Sequence, residues 1–324
     1  MKREIGWEAI QHEPESVVTV GTFDGVHRGH QAILSFLCDR ADALQGVPTV
    51  LTFDPHPRSV VRSINVPLLT TIDERARALE SFGIERMVVL PFTRDLAQYD
   101  PRAYVQDVLW DTIGMQAIAV GYDHRFGRNR SGDVELLRTM GSEYGFSVEE
   151  IPPQSDDDEV ISSSRIRTLL AEEGAVRSAA QLLGRPYTLS GTVVKGEQRG
   201  RTIGFPTANI RMADARSCLP CRGVYATRVY GASLSEPEIG MCNIGVRPTF
   251  NDGPHPTIEV HILDFTGDLY GETLCVEFVQ RLRDERKFDS VDALRAQLSE
   301  DRSHCIRVME AARPPVSSKG CGRL

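Results

Sequence analysis

The sequence feature that most constrains the fold is the stretch from Val17 to His30, VVTVGTFDGVHRGH. It opens with an apolar run that predicts a short buried strand, and the run breaks at Gly21. The turn holds three glycines, one acid and two histidines, and a helical pattern follows directly. A strand, a glycine-rich turn and a helix in this order aim backbone amides and a helix N-terminus at a phosphate. His27 and His30 would stand beside that phosphate as donors, and Gly29 would let it approach the backbone.

The first half of the chain alternates short β-rich runs with helical patterns. The predicted strands are 17–21, 48–53, 86–90, 116–120 and 147–151, and the predicted helices are 30–45, 72–82, 101–112 and 133–144. Thr71 and Ser131 stand where the N-caps of two of these helices are expected. Such alternation predicts right-handed βαβ units and a parallel sheet, with a ligand crevice at the carboxyl ends of its strands. The turn that holds the two histidines would lie in that crevice.

Three further segments are expected to border the same crevice. TFDPHPR ends the second predicted strand, and Pro55 and Pro57 would stiffen a loop around His56. GYDHRFGRNRSGD ends the fourth predicted strand and carries three arginines among glycines. ISSSRIR presents serine hydroxyls, helix amides and Arg167 to an anion. Together these segments predict a phosphate-binding pocket, whereas each alone is also compatible with an ordinary surface turn.

Past Tyr187 the pattern changes to β-rich segments with no helices between them. These segments are 187–195, 223–230, 239–245, 257–265 and 273–280, and they favour an antiparallel barrel over further βαβ units. One helix from Ser290 to about Ala312 closes the pattern. The breaker Gly184-Arg185-Pro186 marks the expected boundary. The expected domains are therefore 1–184 and 185–312, followed by a flexible tail at 313–324.

A second group of candidate residues lies in GTVVKGEQRGRTIGFPTANI, which is not a Walker A loop because GK[ST] is missing. Thr207 and Asn209 are two residues apart, so both point to one side of an extended segment. A hydroxyl and an amide oxygen are ligands that suit Mg²⁺ beside nucleotide phosphates, although simple turn formation is the alternative. In TIEVHILDF, Glu259 shares one face with Thr257 and His261. Strand periodicity leaves open whether Glu259 is a base or a solvated residue.

Composition limits the classes of function. The chain has 324 residues, enough for two domains, with 41% hydrophobic and 25% charged residues, as in globular proteins. No apolar run approaches the ~20 residues that span a bilayer, and the N-terminus lacks a signal-peptide pattern, so we expect a cytoplasmic enzyme without a membrane partner. A formal charge of −8 argues against nucleic-acid partners. Seven scattered cysteines, including the CLPC pair, are expected to be ordinary thiols.

The motifs together resemble those of the bifunctional bacterial riboflavin kinase/FAD synthetases, in the family's order from about residue 14 to 312. They are GTFDGVHRGH, TFDPHP, GYDHRFG, ISSSRIR, GRTIGFPTANI, GVYA, NIGVRPTF, TIEVHILDF, GDLYG and RLRDERKF. The resemblance implies an N-terminal Rossmann-like nucleotidyltransferase domain (α/β) and a C-terminal antiparallel six-stranded β-barrel kinase domain with a final helix. The first would make FAD and pyrophosphate from FMN and ATP, and the second would make FMN and ADP from riboflavin and ATP. Both would require Mg²⁺.

The resemblance also implies roles for individual residues. His27 and His30 would stabilise the ATP phosphates during adenylyl transfer, and Glu259 would be the catalytic base of the kinase. The other implied adenylyltransferase contacts are Gly21, Phe23, Asp24, Gly29, Ser163, Ser164 and Arg167 for ATP, and Pro55, His56, Pro57 and Asp123 for the flavin. The implied kinase contacts are Gly196, Gly200, Arg201, Gly204, Pro206, Thr207 and Asn209 for ATP, and Tyr270 and Arg283 for the flavin, with Thr207 and Asn209 as the Mg²⁺ ligands.

Two departures from the family pattern are visible. Ser164 replaces the usual threonine and keeps the hydroxyl, whereas His124 replaces the more frequent phenylalanine and introduces a titrating ring beside the flavin site.

Two rival functions come from different classes. One rival is a nucleotidyltransferase for another small phosphate, such as a pantetheine or nicotinamide mononucleotide. The other is a flavin- or nucleotide-binding regulatory protein whose sites have decayed. Intact residues at every motif argue against the second, and the complete second domain argues against the first.

Overall fold

The computed structural model describes residues 1–121, 124–151, 155–156, 159–196, 199–247 and 255–312. The chain divides into two compact units, Met1–Ser163 and Ser164–Leu324. This division precedes the expected domain boundary at residues 184–186, which therefore stays a prediction. The expected flexible tail at 313–324 lies outside the described residues.

A six-stranded parallel sheet forms the centre of the first unit, in the order β1-β4-β3-β2-β5-β6. The strands are β1 Lys2–Ile5, β2 Ser16–Val20, β3 Val47–Asp54, β4 Arg86–Pro91, β5 Met115–Gly121 and β6 Ser147–Ile151. A short antiparallel pair, β7 Ser155–Asp156 and β8 Glu159–Val160, follows. The strand order reverses where β2 adjoins β5, and folds of this kind bind ligands at that point. The predicted parallel sheet and the positions of its predicted strands are confirmed.

Helices cover both faces of this sheet. They are α1 Arg28–Leu44, α2 Pro57–Arg62, α3 Ile72–Ser81, α4 Arg94–Ala97, α5 Pro101–Ala103 with its π-helical continuation Tyr104–Ile113, and α6 Val134–Tyr144. Consecutive residues of β2 face opposite cores, because strand side chains alternate. Val17 packs with Leu34 and Leu37 of α1, and Val18 packs with Val105 of the π-helical segment. Both faces of β2 are therefore buried, which explains why its sequence is mostly apolar rather than alternating.

The N-caps of this unit confirm one prediction and correct another. Thr71 forms a complete capping box with Glu74 at the start of α3. The prediction that Ser131 caps the helix after β5 was wrong. The cap of α6 is Asp133, whose carboxylate accepts the N–H of Leu136 at 3.0 Å. The Ser131 hydroxyl instead donates to the Arg128 carbonyl within the preceding turn.

A closed antiparallel barrel forms the second unit, in the order β10-β13-β12-β11-β14-β9. Its strands are β9 Tyr187–Val194, β10 Ala208–Met212, β11 Gly223–Tyr230, β12 Glu238–Arg247, β13 His255–Ile262 and β14 Thr273–Arg283. The six-stranded barrel is confirmed, but β10 was not among the strands predicted from pattern. Its sequence, ANIRM, is short and places a buried side chain only at Ile210. Pairing with β9 and β13, rather than intrinsic preference, makes this segment a strand.

The α-helices described from Ser163 onwards are α7 Ser163–Thr168, with a π-helical continuation Leu169–Glu173, and α8 Val176–Leu183, α9 Arg199–Thr202 and α10 Val291–Ala311. α8 contacts β9 and β14, and α10 contacts β11, β12 and β14. The predicted cap of α10 is confirmed, because the Ser290 hydroxyl accepts the N–H of Ala293 at 3.1 Å. Within the described part of the chain, no helix is both long and apolar enough to cross a membrane.

The edge strand β1 is attached by a buried ion pair and was not predicted, because KREI has the composition of a solvated segment. The Arg86 guanidinium, 1% exposed, donates to Glu4 Oε2 at 2.7 and 3.1 Å. It also donates to the Ser16 hydroxyl and the Ile113 carbonyl. Burial alone would raise the pKa of Glu4, but hydrogen bonds from Lys2 and Arg86 hold that pKa below its usual value.

We expect Arg86→Met to lower the free energy of unfolding by about 3–5 kcal/mol, because it leaves the Glu4 carboxylate buried without its counter-charge. A carboxyl with a depressed folded-state pKa stabilises above its unfolded-state pKa and loses that effect as pH falls through the folded-state value. The loss in Arg86→Met should therefore shrink in acid. Urea unfolding at neutral and acidic pH measures both effects.

Lys2→Met is the matched control, because Lys2 contacts the same carboxylate from an exposed position. We expect it to cost less than about 1 kcal/mol. An equal effect of the two substitutions would contradict the assignment of Arg86 as the residue that holds β1.

Candidate active sites

The first candidate site lies at the start of α1, where His27 is the N-cap. The Nδ1 atom of its ring accepts the backbone N–H of His30 at 3.3 Å. A neutral imidazole that accepts at Nδ1 carries its proton at Nε2, so His27 presents an N–H donor. α1 begins at Arg28, two residues before the predicted start, and so Gly29 and His30 belong to its first turn. The helix N-terminus and the histidine motif are therefore one structural feature.

The rings of His27 and His30 stack face to face, with centroids 3.6 Å apart and planes inclined by 14°. The Phe23 ring lies 4.9 Å from His30 on a tilted plane. Burial, and then the nearby His27 and Arg75, hold the pKa of His30 well below its usual range. His30 is therefore neutral at pH 7. Its Nδ1 atom is shielded from solvent and has no hydrogen-bond partner among the described residues.

Asp24 holds the turn before α1 from within the fold. Its carboxylate is fully buried and accepts the backbone N–H groups of Leu69 and Thr70 at 2.9 and 3.0 Å. Phe23 and Val26 on either side have φ angles of 46° and 42°, in the left-handed region that non-glycine residues avoid. Strained, buried turns of this kind cluster at functional sites. The geometry thus gives Asp24 a scaffolding role, and its predicted ATP contact remains a prediction.

The start of the motif ISSSRIR contacts this turn, as predicted. The Ser163 hydroxyl donates to the Asp24 carbonyl at 2.9 Å. A Cβ atom added to Gly29 would lie 3.3 Å from the His27 ring and 3.8 Å from the Ile161 carbonyl, so Gly29 keeps this junction narrow. Ser164 and Arg167 follow Ser163 in α7, and Arg167 is buried.

The predicted flavin-side loop follows β3, the neighbour of β2 in the sheet. His56 is the N-cap of α2 and repeats the arrangement of His27: its Nδ1 atom accepts the N–H of Arg58 at 3.1 Å. Pro57 is the first residue of α2, where a missing N–H costs nothing. The peptide between Asp54 and Pro55 is cis.

The loop after β5 holds the other predicted flavin contact, Asp123, which lies outside the described residues. His124, the departure from the family pattern, donates its backbone N–H to the Gly121 carbonyl at 3.0 Å. Its ring stacks on Phe126 with centroids 5.7 Å apart. The substitution thus keeps an aromatic contact within the loop.

The second candidate site lies on the outer face of the barrel. Strand register places Asn209 of β10 opposite Glu259 of β13, and Glu259 opposite Asn243 of β12. Directly opposed residues project to the same face of a sheet, so these three side chains form a row across three strands. Ile258 and Val260 face the core and are buried, as the alternation predicted. The Thr207 hydroxyl, just before β10, donates to Glu259 Oε2 at 3.3 Å.

Glycines shape the loop that precedes this row. A Cβ atom added to Gly196 would lie 2.3 Å from Asn209 Nδ2, so the absent side chain leaves room for the amide. A Cβ atom on Gly200 would lie 2.2 Å from the Phe205 carbonyl oxygen. Gly204 has a φ of 85°, a conformation that favours glycine. These three predicted positions are therefore glycine for steric and conformational reasons.

The remaining predicted kinase residues differ in their surroundings. Arg201 is exposed, and the Pro206 carbonyl accepts from the Nδ1–H of His261 at 2.7 Å. Tyr270 is exposed, in the loop before β14. Arg283 is bound within the fold, because its guanidinium makes a bidentate pair with the buried carboxylate of Asp301 on α10. This pair attaches β14 to α10, and the predicted flavin contact of Arg283 remains a prediction.

The possible metal ligands at the barrel site are mostly side-chain oxygen atoms. The described residues contain no group of three or more His, Cys, Asp and Glu side chains that would bind a metal unaided. Thr207, Asn209 and Glu259 nevertheless bring a hydroxyl, an amide oxygen and a carboxylate to one face, and these are ligands that Mg²⁺ accepts. The donor set therefore suits an Mg²⁺ ion that is held jointly with nucleotide phosphates.

Two residues at these sites were not predicted. Asn243 lies within the quoted motif NIGVRPTF, but only strand register places it beside Glu259. Arg75 stands in the charged segment DERAR of α3, and only tertiary packing shows that it is 2% exposed beneath the histidine turn. Neither position carries a local signal, because both depend on contacts between segments distant in sequence.

Comparison with known proteins shows which families the two halves of the chain resemble. The family model described as FAD synthetase matches residues 9–165, and the model described as riboflavin kinase matches residues 183–309. The bifunctional riboflavin kinase/FMN adenylyltransferase of Escherichia coli (strain K12) is 38% identical over 93% of this chain and 96% of its own length. The protein of the same description from Pseudomonas fluorescens is 39% identical over 88% of this chain and 90% of its own length.

A solved structure from Streptococcus pneumoniae, described as a macrolide-efflux protein, has a TM-score of 0.85 and 33% sequence identity. The likeness covers 94% of this chain and 99% of that one. The two family models together match both halves of the chain, and the similar proteins are bifunctional. The chain therefore belongs to the family of bifunctional riboflavin kinase/FMN adenylyltransferases.

Proposed function

We propose that this chain converts riboflavin to FMN at the barrel site and FMN to FAD at the histidine site, with ATP as co-substrate of both. One observation supports this division most strongly. Glu259, a carboxylate, accepts a hydrogen bond from Thr207 at 3.3 Å at one site, whereas two stacked imidazoles lie at the start of a helix at the other. These arrangements suit different nucleophiles, one neutral and one anionic.

In adenylyl transfer the nucleophile is the phosphate of FMN, which is already anionic at pH 7. The residues must offset repulsion between two anions and stabilise charge on the α-phosphate of ATP. The Nε2–H of His27 and the positive dipole end at the start of α1 would stabilise that charge. Asp24 does not serve as a base, because buried backbone donors occupy its carboxylate. Ser163, Ser164 and Arg167 are the proposed further contacts to ATP.

In the kinase step the nucleophile is the terminal hydroxyl of riboflavin, which must lose its proton as the new P–O bond forms. Glu259 is the proposed acceptor of that proton. The Thr207 hydroxyl donates to Oε2 of Glu259, so it fixes the orientation of the carboxylate. The pairing of β13 with β10 and β12 fixes the backbone that carries it.

Thr207 and Asn209 are the proposed ligands of the Mg²⁺ ion that accompanies ATP at the barrel. When bound, the ion would neutralise charge on the transferred phosphate. Gly196 leaves space for the Asn209 amide, and Gly200 and Gly204 shape the loop that would cover the nucleotide. Arg201 and Pro206 belong to the same proposed loop.

The proposal also assigns the flavin contacts, the domain bounds and the location of the protein. His56, Pro55, Pro57 and Asp123 would contact the flavin of the adenylyltransferase, and Tyr270 and Arg283 that of the kinase. The proposed domains are 1–184 and 185–312. The six cysteines in the described ranges are free thiols, which supports a reducing, cytoplasmic location.

One assay separates this function from its rivals. Purified protein is incubated with riboflavin, ATP and Mg²⁺, and the flavins are separated by chromatography. We expect FMN to appear first and FAD to follow. A nucleotidyltransferase for another small phosphate would leave riboflavin unchanged, and a regulatory binding protein would produce no new flavin.

We expect Glu259→Gln to reduce FMN formation by about 10²–10⁴-fold, because the amide cannot accept the hydroxyl proton. FAD formation from supplied FMN should be unchanged. Glu277→Gln is the matched control, since this carboxylate on β14 pairs with Arg228 and is not in the row. Wild-type FMN formation by Glu259→Gln would remove Glu259 as the base.

We expect His27→Ala to stop FAD formation while FMN accumulates, since one lost donor to developing charge costs about 10²–10³-fold. His27→Asn separates two roles of the residue, because asparagine also caps a helix but lacks the ring Nε2–H. Full recovery of FAD formation in His27→Asn would show that the ring serves only as a cap.

We expect Gly196→Ala to impair only the kinase, because the new methyl group must displace the Asn209 amide 2.3 Å away. A displacement of about 1 Å in a positioning residue lowers rates by roughly 10²-fold. The ATP and Mg²⁺ dependence of FMN formation measures the effect. In Gly204→Ala the added methyl meets no atom within 4 Å, so this variant controls for backbone strain in the loop.

A further inference from the structure

A deeply buried cation near the histidine site belongs to Arg75 on α3, which is 2% exposed. Its Nη1 donates to the Thr52 hydroxyl at 3.0 Å, and that hydroxyl donates to the Thr22 carbonyl at 2.9 Å. Its Nη2 lies 3.7 Å from Asp24 Oδ1. Both branches lead to the turn that precedes His27. A buried cation is costly to desolvate, so its retention here calls for a role beyond packing.

The charge of Arg75 acts on the stacked imidazoles. Burial comes first among the causes that depress the pKa of His30, followed by His27 on the same turn and Arg75 on α3. The carboxylate that faces Arg75 is Asp24, and the Thr70 hydroxyl and the N–H groups of Leu69 and Thr70 also donate to it. The Asp24 carboxylate therefore offsets only part of the positive charge that Arg75 exerts on the stacked rings of His27 and His30.

We propose that Arg75 is a positioning residue of the adenylyltransferase site, which holds the histidine turn and its stacked rings in place through Thr52 and Asp24. Two charged rings at a centroid distance of 3.6 Å would repel each other, so the stack requires that the two rings are not both protonated. The neutral pair keeps the His27 Nε2–H donor fixed before ATP arrives. This inference extends the proposed FAD synthesis to a residue that does not itself touch the substrates.

The first test follows the ring of His30 directly and does not depend on activity. NMR titration of the full chain resolves the eight histidines, and His30→Asn assigns the signal of interest. In the wild type we expect His30 to remain neutral at pH values where an ordinary histidine, with a pKa of about 6.5, is half protonated. In Arg75→Gln we expect its midpoint to rise towards that of an ordinary histidine, because a nearby cation is lost.

Arg75→Lys is the matched variant, because it keeps the charge and loses the planar guanidinium. We expect the His30 midpoint to stay near the wild-type value in Arg75→Lys. Thr52→Val removes the hydroxyl between Arg75 and Thr22 but leaves the charge in place. It should weaken FAD formation without moving the midpoint.

The second test is the pH profile of kcat/KM for FAD formation, which reports ionisations of the free enzyme. We expect its acid limb to move upward in Arg75→Gln together with the His30 midpoint, while FMN formation keeps its profile. A role in stability alone would lower activity equally at all pH values and leave the limb in place.

Two results would overturn the inference. One is a wild-type His30 midpoint at or above about 6.5, which needs no variant and stays informative if Arg75→Gln does not fold. The other is an unchanged midpoint in folded Arg75→Gln. If the chain made no FAD at all, the titration would still decide the role of Arg75, so the two failures are distinguishable.

Discussion

The hydrogen bonds that the buried carboxylate of Asp24 accepts hold the turn on which the histidine site depends. Phe23 and Val26 adopt left-handed backbone conformations that cost about 1–3 kcal/mol each, and they persist only when surrounding contacts over-determine them. Backbone donors from Leu69 and Thr70 supply such contacts. The turn in turn sets where α1 begins and so which residue becomes its cap. Asp24 therefore determines the position of the first imidazole by fixing the turn that precedes it.

The two proposed sites would bind the same co-substrate with different backbone structures. The histidine site would use a helix N-terminus, whose positive dipole end favours an anion. The barrel site uses side chains in register on neighbouring strands, which suits a metal-bound nucleotide and a positioned base. The difference follows from the nucleophiles, because an anionic phosphate needs charge compensation and a neutral hydroxyl needs a proton acceptor. Each half of the chain thus has the chemistry that its reaction demands.

Most of the fold could be predicted, because the buried parallel strands are mostly apolar and barrel strands alternate. The exceptions are elements that tertiary contacts create. Arg86 attaches β1 by neutralising Glu4, and no local pattern reveals such a pair. At the sites, the motifs predicted roles for the two histidines, and the family resemblance predicted the role of Glu259. Arg75 and Asn243 instead depend on packing and strand register. The Mg²⁺ ligands and the flavin contacts stay predictions, since they are supported by the chemical type of the residues and by the resemblance to the family.

The row of Asn209, Glu259 and Asn243 runs across the strands, so the hydrogen-bond ladder of the barrel sets its spacing. Neighbouring strands are about 4.8 Å apart whatever side chains they carry. Substitutions inside the barrel can therefore change core volume with little effect on the separation of the proposed base and the proposed metal ligand. A shift of β10 by one residue would instead turn Asn209 to the opposite face. The kinase site is thus robust to changes in its core and sensitive to the register of its shortest strand.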